Sequence, residues 1–177
     1  ALPIHGVAVL NADDPLSLAM AERTSARVLT FGDAGDVSAS NVVSDDSGRR
    51  SFDLTWAGQT APVSLRGLGA HQVANACAAA GLALAAGVDL TVVARGLSDA
   101  RLSSRWRMEL SQRADGLVVI NDAYNANPSS MAAAVATLGQ IGRRTGRRTV
   151  AVLGEMRELG VESFALHPEI GEAVAAE

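Results

Sequence analysis

The chain of 177 residues contains no lysine, because arginine supplies all fifteen of its basic residues. A phosphate-loop lysine, a Schiff-base lysine and a carbamoylated lysine are therefore excluded within this segment. A single cysteine, Cys77, excludes an internal disulfide framework and a cysteine-based zinc cluster, and it fits a reducing compartment. No run approaches the roughly 18 to 20 apolar residues that a membrane span requires, and no basic leader precedes an apolar core. We therefore expect a cytoplasmic protein without a membrane partner.

The overall composition predicts a globular α/β protein. Hydrophobic residues make up 48% of the chain and charged residues 19%, which is typical of one domain or two small ones. The net charge of −4 argues against a nucleic-acid partner, which requires a basic face to neutralise phosphates. A strand pattern begins six residues into the chain and a helical pattern runs to its last residue without a capping glycine. We expect a segment of a longer protein.

The first hundred residues predict a strand, a helix, several short strands and two further helices. The strand Val7–Leu10 leads into Asp13, Asp14 and Pro15, which suit the start of a helix over 16–23. Short apolar runs separated by turn-forming residues then predict an antiparallel meander of strands over 26–31, 37–43, 51–56 and 61–65. The remaining pattern predicts a helix over 72–86 that ends at Gly87 and a helix over 90–97 capped by Asp89.

A polar stretch at residues 100–105 predicts a domain boundary, with one domain over 1–101 and a second over 102–177. Beyond it, strands alternate with helices, which is typical of parallel βαβ units. The predicted strands cover 107–112, 117–121 and 149–153. The predicted helices cover 128–141 and the residues from Leu166 onward.

Polar residues follow three of the predicted strands, at 11–14, 121–130 and 154–158, where open parallel sheets bind ligands. The middle loop is the richest. Asn127 and Pro128 suit the cap and first position of a helix, whose free N–H groups favour anions. A capped helix without a ligand is the alternative. The loop nevertheless holds the only tyrosine, one carboxylate and three asparagines, which is more than a cap requires.

Three other groups of residues suggest binding, each with a plainer alternative. His71, Gln72 and Asn75 share the first turn of a helix, where amide groups suit the edge of a base, or simply cap the helix. Arg107 suits a phosphate or a ribose oxygen, or an inter-domain ion pair with Glu109 or another acid. Glu155 suits an amine or a metal-bound water, or a salt bridge within its loop. The three histidines lack metal-ligand spacing.

Three strings in this sequence resemble the Mur ligases. They are His71-Gln-Val-Ala-Asn75-Ala, Asp122-Ala-Tyr-Asn-Ala-Asn-Pro-Ser-Ser and Leu153-Gly-Glu-Met-Arg-Glu-Leu-Gly, in the order that the family has them. The Tyr-Asn-Ala-Asn-Pro string is similar to the branch that joins D-alanyl-D-alanine to UDP-N-acetylmuramoyl-tripeptide. The resemblance implies the end of a central ATPase domain followed by the start of a Rossmann-like C-terminal domain. It also implies ATP and magnesium as cofactors and an acyl-phosphate intermediate.

The resemblance implies a role for individual residues as well. Asn75 corresponds to an adenine contact, in a helix start that also contains His71. Arg107 corresponds to an arginine at the ribose or phosphates, and Asp122 to an aspartate that binds the ribose. The expected acceptor pocket takes its residues from one loop: Tyr124, Asn125, Asn127 and Ser130. The sequence identifies no catalytic residue, and it implies that the phosphate loop and the metal ligands lie outside this segment.

Two alternative functions stay open. One is a non-catalytic nucleotide-binding or interaction module with a Mur-ligase-like fold, which the missing lysine favours. The other is a ligase of the folylpolyglutamate branch, which accepts glutamate, and the Tyr-Asn-Ala-Asn-Pro string argues against it.

Overall fold

The computed structural model describes residues 2–101 and 105–177, which form two compact units. The first unit comprises residues 2–44, 49–66 and 71–100, and the second comprises residues 45–48, 67–70, 101 and 105–177. The predicted domain boundary adjoins residues 102–104, which lie outside the described residues, and it stays a prediction. None of the described helices is long and apolar enough to cross a bilayer.

The first unit is built on a five-stranded sheet whose spatial order follows the chain order. Its strands are β1 (Val7–Asn11), β2 (Arg27–Phe31), β3 (Val37–Ser44), β4 (Arg49–Trp56) and β5 (Gln59–Leu68). β1 pairs with β2 in parallel, and β3 pairs with β4 antiparallel. β4 and β5 form a hairpin through Ala57 and Gly58, which both have positive φ (+50° and +76°), as a two-residue hairpin turn of this type requires.

The predicted meander is wrong at its first step, because β2 and β3 pair in parallel through Phe31 and Val37. The connecting residues do not form a hairpin turn. Instead, Oδ2 of Asp36 accepts hydrogen bonds from the backbone N–H of Thr30 (2.9 Å) and from its hydroxyl (2.8 Å). The side chain of Asp13 accepts a hydrogen bond from the backbone N–H of Asp33 (2.9 Å). These side-chain contacts fold the loop back so that β3 starts beside the end of β2.

Three helices complete the first unit: α1 (Pro15–Ala19), α2 (His71–Ala85) and α3 (Leu90–Asp99). A 3₁₀ turn over Met20–Arg23 continues α1, so the helix predicted over 16–23 is present in two parts. The caps are as predicted. The side chain of Asp14 accepts from Leu16 N–H, that of Asp89 accepts from Thr91 N–H, and Gly87 follows α2 with a φ of +85°.

The core of the first unit lies between its sheet and α2, which contacts β1, β2 and β3. Val37, Leu54 and Val63 from the sheet are at most 1% exposed, and Ala80 of α2 is fully buried. A Cβ atom at Gly81 would lie 2.8 Å from Cγ1 of Val9. The small residues of α2 therefore allow it to approach the sheet closely, and Gly81 is required where it passes β1.

The second unit contains a two-stranded sheet and two helices. They are β6 (Glu109–Gln112), β7 (Val118–Asn121), α4 (Pro128–Thr145) and α5 (Ser163–Ala176), and a 3₁₀ turn over Gly160–Glu162 precedes α5. Asn127 caps α4, as predicted, and Gly146 ends it in a left-handed conformation with a φ of +65°. α4 packs against α5, which starts three residues before the predicted position.

The parallel βαβ arrangement predicted for the second unit is wrong in the described residues. β6 and β7 pair antiparallel, because the turn between them is too short for a crossover. Gly116 has a φ of +85° there, and the side chain of Asp115 accepts from Leu117 N–H (3.1 Å). The strand predicted over 149–153 is not formed: these residues have no strand partner in the described part of the chain, and Val152 is 92% exposed.

Candidate functional site

The loop between β7 and α4 is held by hydrogen bonds from its own side chains. Oδ1 of Asn127 accepts from the backbone N–H of Ser130 (2.9 Å), and Oγ of Ser130 accepts from the backbone N–H of Asn127 (3.1 Å). This reciprocal pair is a capping box. Oδ1 of Asn125 accepts from Ala126 N–H (2.9 Å). Two of the four residues predicted to contact the acceptor thus also define where α4 begins, and their binding role stays a prediction.

Asp122 sits at the start of this loop and fixes the chain that precedes β6. Its Oδ1 accepts a hydrogen bond from the backbone N–H of Met108 at 2.9 Å. The backbone N–H of Tyr124 donates to the carbonyl oxygen of Trp106 at 3.0 Å. Trp106 and Met108 both have positive φ (+64° and +47°), a strained conformation for residues other than glycine. The loop after β7 therefore holds a strained turn in place.

Arg107 lies at the centre of that turn, and its guanidinium carbon is 4.0 Å from the centroid of the Tyr124 ring. Both side chains are exposed, Tyr124 by 56%. A guanidinium over an aromatic face is stabilised by the electrostatic field of the ring. Oε2 of Glu109, the predicted alternative partner, accepts from the backbone N–H of Trp106 (3.3 Å), whereas the described contact of Arg107 is the Tyr124 ring. The second unit thus brings Arg107, Asp122 and Tyr124 together.

The first unit contains the other two residues predicted to bind a nucleotide, both at the start of α2. His71 and Asn75 are four residues apart and therefore share one face of the helix. Nε2 of His71 lies 3.1 Å from Nε2 of the Gln72 side chain, while Asn75 is exposed. The nucleotide-binding role of His71 and Asn75 stays a prediction.

The remaining polar loops have structural partners. Asp13 and Asp14 bind backbone N–H groups, as described above, and Oδ1 of Asn11 accepts from Asp13 N–H (3.0 Å). Glu155 lies 3.5 Å from Arg157 in an exposed ion pair, which is the salt bridge within its loop that the sequence offered as an alternative. Among residues 2–101 and 105–177, no three histidine, cysteine, aspartate or glutamate side chains lie close enough to hold a metal ion.

Three groups of the first unit, Asp36, Cys77 and Asp89, have shifted pKa values. Hydrogen bonds from Thr30 lower the pKa of Asp36, and hydrogen bonds from Thr91 lower that of Asp89. Burial raises the pKa of the Cys77 thiol to about 11, and the charges of Asp33 and Asp13 add to the effect. Cys77 therefore stays protonated at neutral pH, as expected for a core residue without a reactive role.

One contact in the second unit, between His167 and Met156, was not predicted from the sequence. Nε2 of His167 in α5 lies 3.0 Å from the backbone nitrogen of Met156, in the loop that carries Glu155. The only signal for it was the spacing of Ser163 and His167, which places them on one face of a helix.

Comparison with known proteins identifies both parts of the chain. The family model described as the Mur ligase middle domain matches residues 1–83. The model described as the Mur ligase glutamate ligase domain matches residues 106–177. Together the two models cover most of the chain.

A relative in Mycobacterium tuberculosis (strain ATCC 25618 / H37Rv), named UDP-N-acetylmuramoyl-tripeptide–D-alanyl-D-alanine ligase, is 46% identical over 175 residues. The match covers 97% of this chain and 34% of the relative, so the chain spans about a third of that relative's length. The crystal structure of MurF from Acinetobacter baumannii matches with a TM-score of 0.88 and 34% identity, over 99% of this chain and 37% of that one.

A structure of MurF from Thermotoga maritima in complex with ADP matches with a TM-score of 0.75 over 97% of this chain and 38% of that one. Its identity of 20% shows likeness of fold alone. These matches confirm the predicted α/β class, with part of a Mur ligase middle domain followed by part of a C-terminal domain. The chain belongs to the Mur ligase family.

Proposed function

We propose that the chain is the nucleotide-contacting part of an ATP-dependent amide ligase that joins D-alanyl-D-alanine to UDP-N-acetylmuramoyl-tripeptide. The observation that carries this proposal is the cluster of Arg107, Asp122 and Tyr124 before α4, in a chain whose curated relatives are named for that reaction. Residues 1–101 would belong to the central ATPase domain and residues 102–177 to the C-terminal domain. The whole protein would form an amide bond in a precursor of the cell wall, in the cytoplasm.

Each unit contains residues that we propose for nucleotide binding. The Asn75 amide offers one donor and one acceptor to the edge of adenine, with His71 in the same helix turn. Arg107 offers a planar set of donors to ribose or phosphate oxygens. Asp122 uses one carboxylate oxygen on Met108 N–H, and its second oxygen is proposed for a ribose hydroxyl. The ADP in the Thermotoga maritima relative supports a nucleotide as the ligand of this fold.

Magnesium would reach this site with the phosphates of ATP. The described residues contain no cluster of metal ligands, so they fit the organic part of the nucleotide better than a resident metal ion. We therefore assign the metal ligands and the phosphate loop to parts of the longer protein.

The acceptor side of the proposal uses the loop before α4. Tyr124 presents an exposed ring and hydroxyl, and Asn125 presents an amide beside it. Asn127 and Ser130 form the capping box and so position the first turn of α4, and both are proposed to contact the acceptor. Pro128 has no N–H and that of Ser130 donates to Asn127, so we propose the N–H of Ser129 for the carboxylate of D-alanyl-D-alanine, because a helix N-terminus attracts negative charge.

The chemistry requires a site that excludes water. ATP supplies the phosphoryl group that activates the terminal carboxylate of the nucleotide-linked peptide, and the amine of D-alanyl-D-alanine then displaces phosphate. The activated carboxylate hydrolyses readily, so the residues of this chain serve to bind both partners and to keep water away. Binding by Arg107 and Asp122 would make the protected arrangement depend on the nucleotide.

The test is an assay of the whole protein for ADP formation that depends on both the nucleotide tripeptide and D-alanyl-D-alanine. We expect ADP to form with D-alanyl-D-alanine and not with L-alanyl-L-alanine or glutamate. ADP formation with glutamate and a folate in place of the nucleotide tripeptide would instead assign the chain to the folylpolyglutamate branch. A protein that binds ATP without forming ADP under any of these conditions would be the non-catalytic module, which the lack of lysine in this chain favours.

A further inference from the structure

A single histidine ties the loop before α5 to the helix itself. The backbone N–H of Met156 points at Nε2 of His167, with 3.0 Å between the two nitrogens. The other ring nitrogen, Nδ1, lies 2.8 Å from the carbonyl oxygen of Ser163, one helical turn earlier. Both ring nitrogens of His167 are therefore used within the second unit.

These two partners determine where the ring proton sits. A backbone N–H can only donate, so Nε2 must present a lone pair. A carbonyl oxygen can only accept, so Nδ1 must carry the proton. The neutral form protonated on Nδ1 satisfies both contacts, whereas the other neutral form satisfies neither. The hydroxyl of Ser163 lies further away, 3.4 Å from Nδ1.

The loop that His167 contacts has no regular secondary structure. Residues 149–158 form no helix or strand, and Glu158 has a positive φ of +63°. Met156 is the buried residue among the described side chains from 149 to 161, at 2% exposure. Its neighbours Glu155 and Arg157 are exposed on either side of it and pair with each other at 3.5 Å. A hydrogen bond to the backbone of Met156 therefore acts on the one anchored position of the loop.

We propose that His167 is a positioning residue: its hydrogen bond to Met156 fixes the backbone of residues 154–158, and so presents Glu155 and Arg157 to the reactants of the ligase. The buried Met156 side chain anchors the loop to the interior of the unit, and the hydrogen bond to the His167 ring fixes the orientation of the Met156 peptide group. Together they direct the two flanking side chains to the same exposed side. The catalytic part of this inference rests on the proposed function, whereas the hydrogen bond itself does not.

The hydrogen bond is tested on the unchanged chain and on three variants: His167→Ala, His167→Gln and the control His5→Ala. ¹⁵N chemical shifts of the ring should show Nε2 without a proton and Nδ1 with one at pH 7.5. The Met156 amide should exchange with solvent about tenfold faster in His167→Ala, because one backbone hydrogen bond is lost. His167→Gln should restore most of the protection, since the side-chain carbonyl of glutamine reaches the same place, and exposed His5 should have no effect.

A proton on Nε2, or equal exchange of the Met156 amide with and without the ring, would overturn the hydrogen bond. If His167→Ala does not fold by circular dichroism, the ring shifts of the unchanged chain decide the question alone. In the whole protein, we expect His167→Ala to lower kcat/KM for D-alanyl-D-alanine by about tenfold or more, with recovery in His167→Gln. A kcat/KM in His167→Ala equal to that of the unmodified protein would overturn the positioning role. Absence of ligase activity in the unmodified protein would overturn the proposed function.

Discussion

The two units are stabilised in different ways. The first unit buries a continuous core of large side chains between a five-stranded sheet and α2, in which Val37 and Leu54 are fully buried. The second unit has a two-stranded sheet, and its loops are held by hydrogen bonds that backbone N–H groups donate to the side chains of Asp122, Asn127 and His167. Apolar burial tolerates changes in polar loops, whereas a loop held by one side chain depends on that residue. The residues proposed to bind ligands are concentrated where single side chains determine the backbone.

The largest effect is expected from removing core volume in the first unit. Leu54→Ala should lower its free energy of unfolding by about 2–5 kcal/mol, because a fully buried leucine leaves a cavity. Val135→Ala in α4 should lower that of the second unit by less, about 1–2 kcal/mol. The two tryptophans allow each unit to be followed by fluorescence in urea, Trp56 in a Trp106→Phe background and Trp106 in a Trp56→Phe background.

Val43→Ala is the matched control for these core variants, since that side chain is exposed and its loss should change little. An equal fall in unfolding free energy for Leu54→Ala and Val135→Ala would show that the first unit does not depend more strongly on its buried core than the second.

Cys77 gives a chemical measure of how well the first unit excludes solvent. Its pKa of about 11, against an ordinary value of 9.0, should slow alkylation by iodoacetamide at pH 8 about a hundredfold relative to the unfolded chain. Because the folded pKa is the higher one, the stability gained from the neutral thiol is fully present below pH 9.0 and is lost as the pH rises through about 11.

The expected signature is therefore a fall in the urea midpoint between these pH values that is missing in Cys77→Ala. Rapid alkylation of the native chain at pH 8 would contradict the buried position of the thiol.

In the second unit, Asp122→Ala should raise the KM for ATP of the whole protein by about tenfold or more while leaving the core intact, because it removes a proposed ribose contact and the acceptor for Met108 N–H. Asp122→Asn keeps an oxygen for Met108 and should keep the turn. Steady-state phosphate release measures both variants. A KM for ATP that is the same in Asp122→Ala and the unchanged protein would count against the assignment of Asp122 to the nucleotide.

The smallest effect is expected at the cap of α4. Asn127→Ala should cost about 1 kcal/mol of unfolding free energy in the second unit, since it leaves the Ser130 N–H without its cap. Asn127→Asp keeps the accepting oxygen and should cost less. Urea unfolding followed through Trp106 separates the two variants. Identical losses for alanine and aspartate would assign the effect to something other than the cap.

Local features of the fold and the antiparallel pairing of β3 with β4 were predictable from the sequence, whereas the parallel pairing of β2 with β3 was not. Asp14, Asp89 and Asn127 cap the helices that their positions predict, because a cap involves only neighbouring residues. The parallel pairing of β2 with β3 depends on contacts from Asp13, which lies about twenty residues away, and no local pattern encodes it. The run over 149–153 has the composition of a strand, but a strand also needs partners for its backbone groups.

The structure brings together some of the residues that the sequence singled out, although their contacts differ from those expected and their binding roles stay predictions. The richness of the loop before α4 in polar residues singled out Asp122 and Tyr124, and both lie beside Arg107 in the structure. The sequence offered an ion pair for Arg107, whereas its described contact is the Tyr124 ring. That stacking depends on the strained turn at Trp106 and Met108, which no residue type in the turn indicates, because both positions would ordinarily favour glycine.

The left-handed conformations on either side of Arg107 have a consequence for how tightly it can bind. An exposed arginine on a flexible chain loses conformational entropy when it closes on an anion. Here the backbone is immobilised from both sides and the guanidinium already rests on an aromatic ring, so much of that ordering has taken place before any anion arrives. Arg107 is in this sense preorganised.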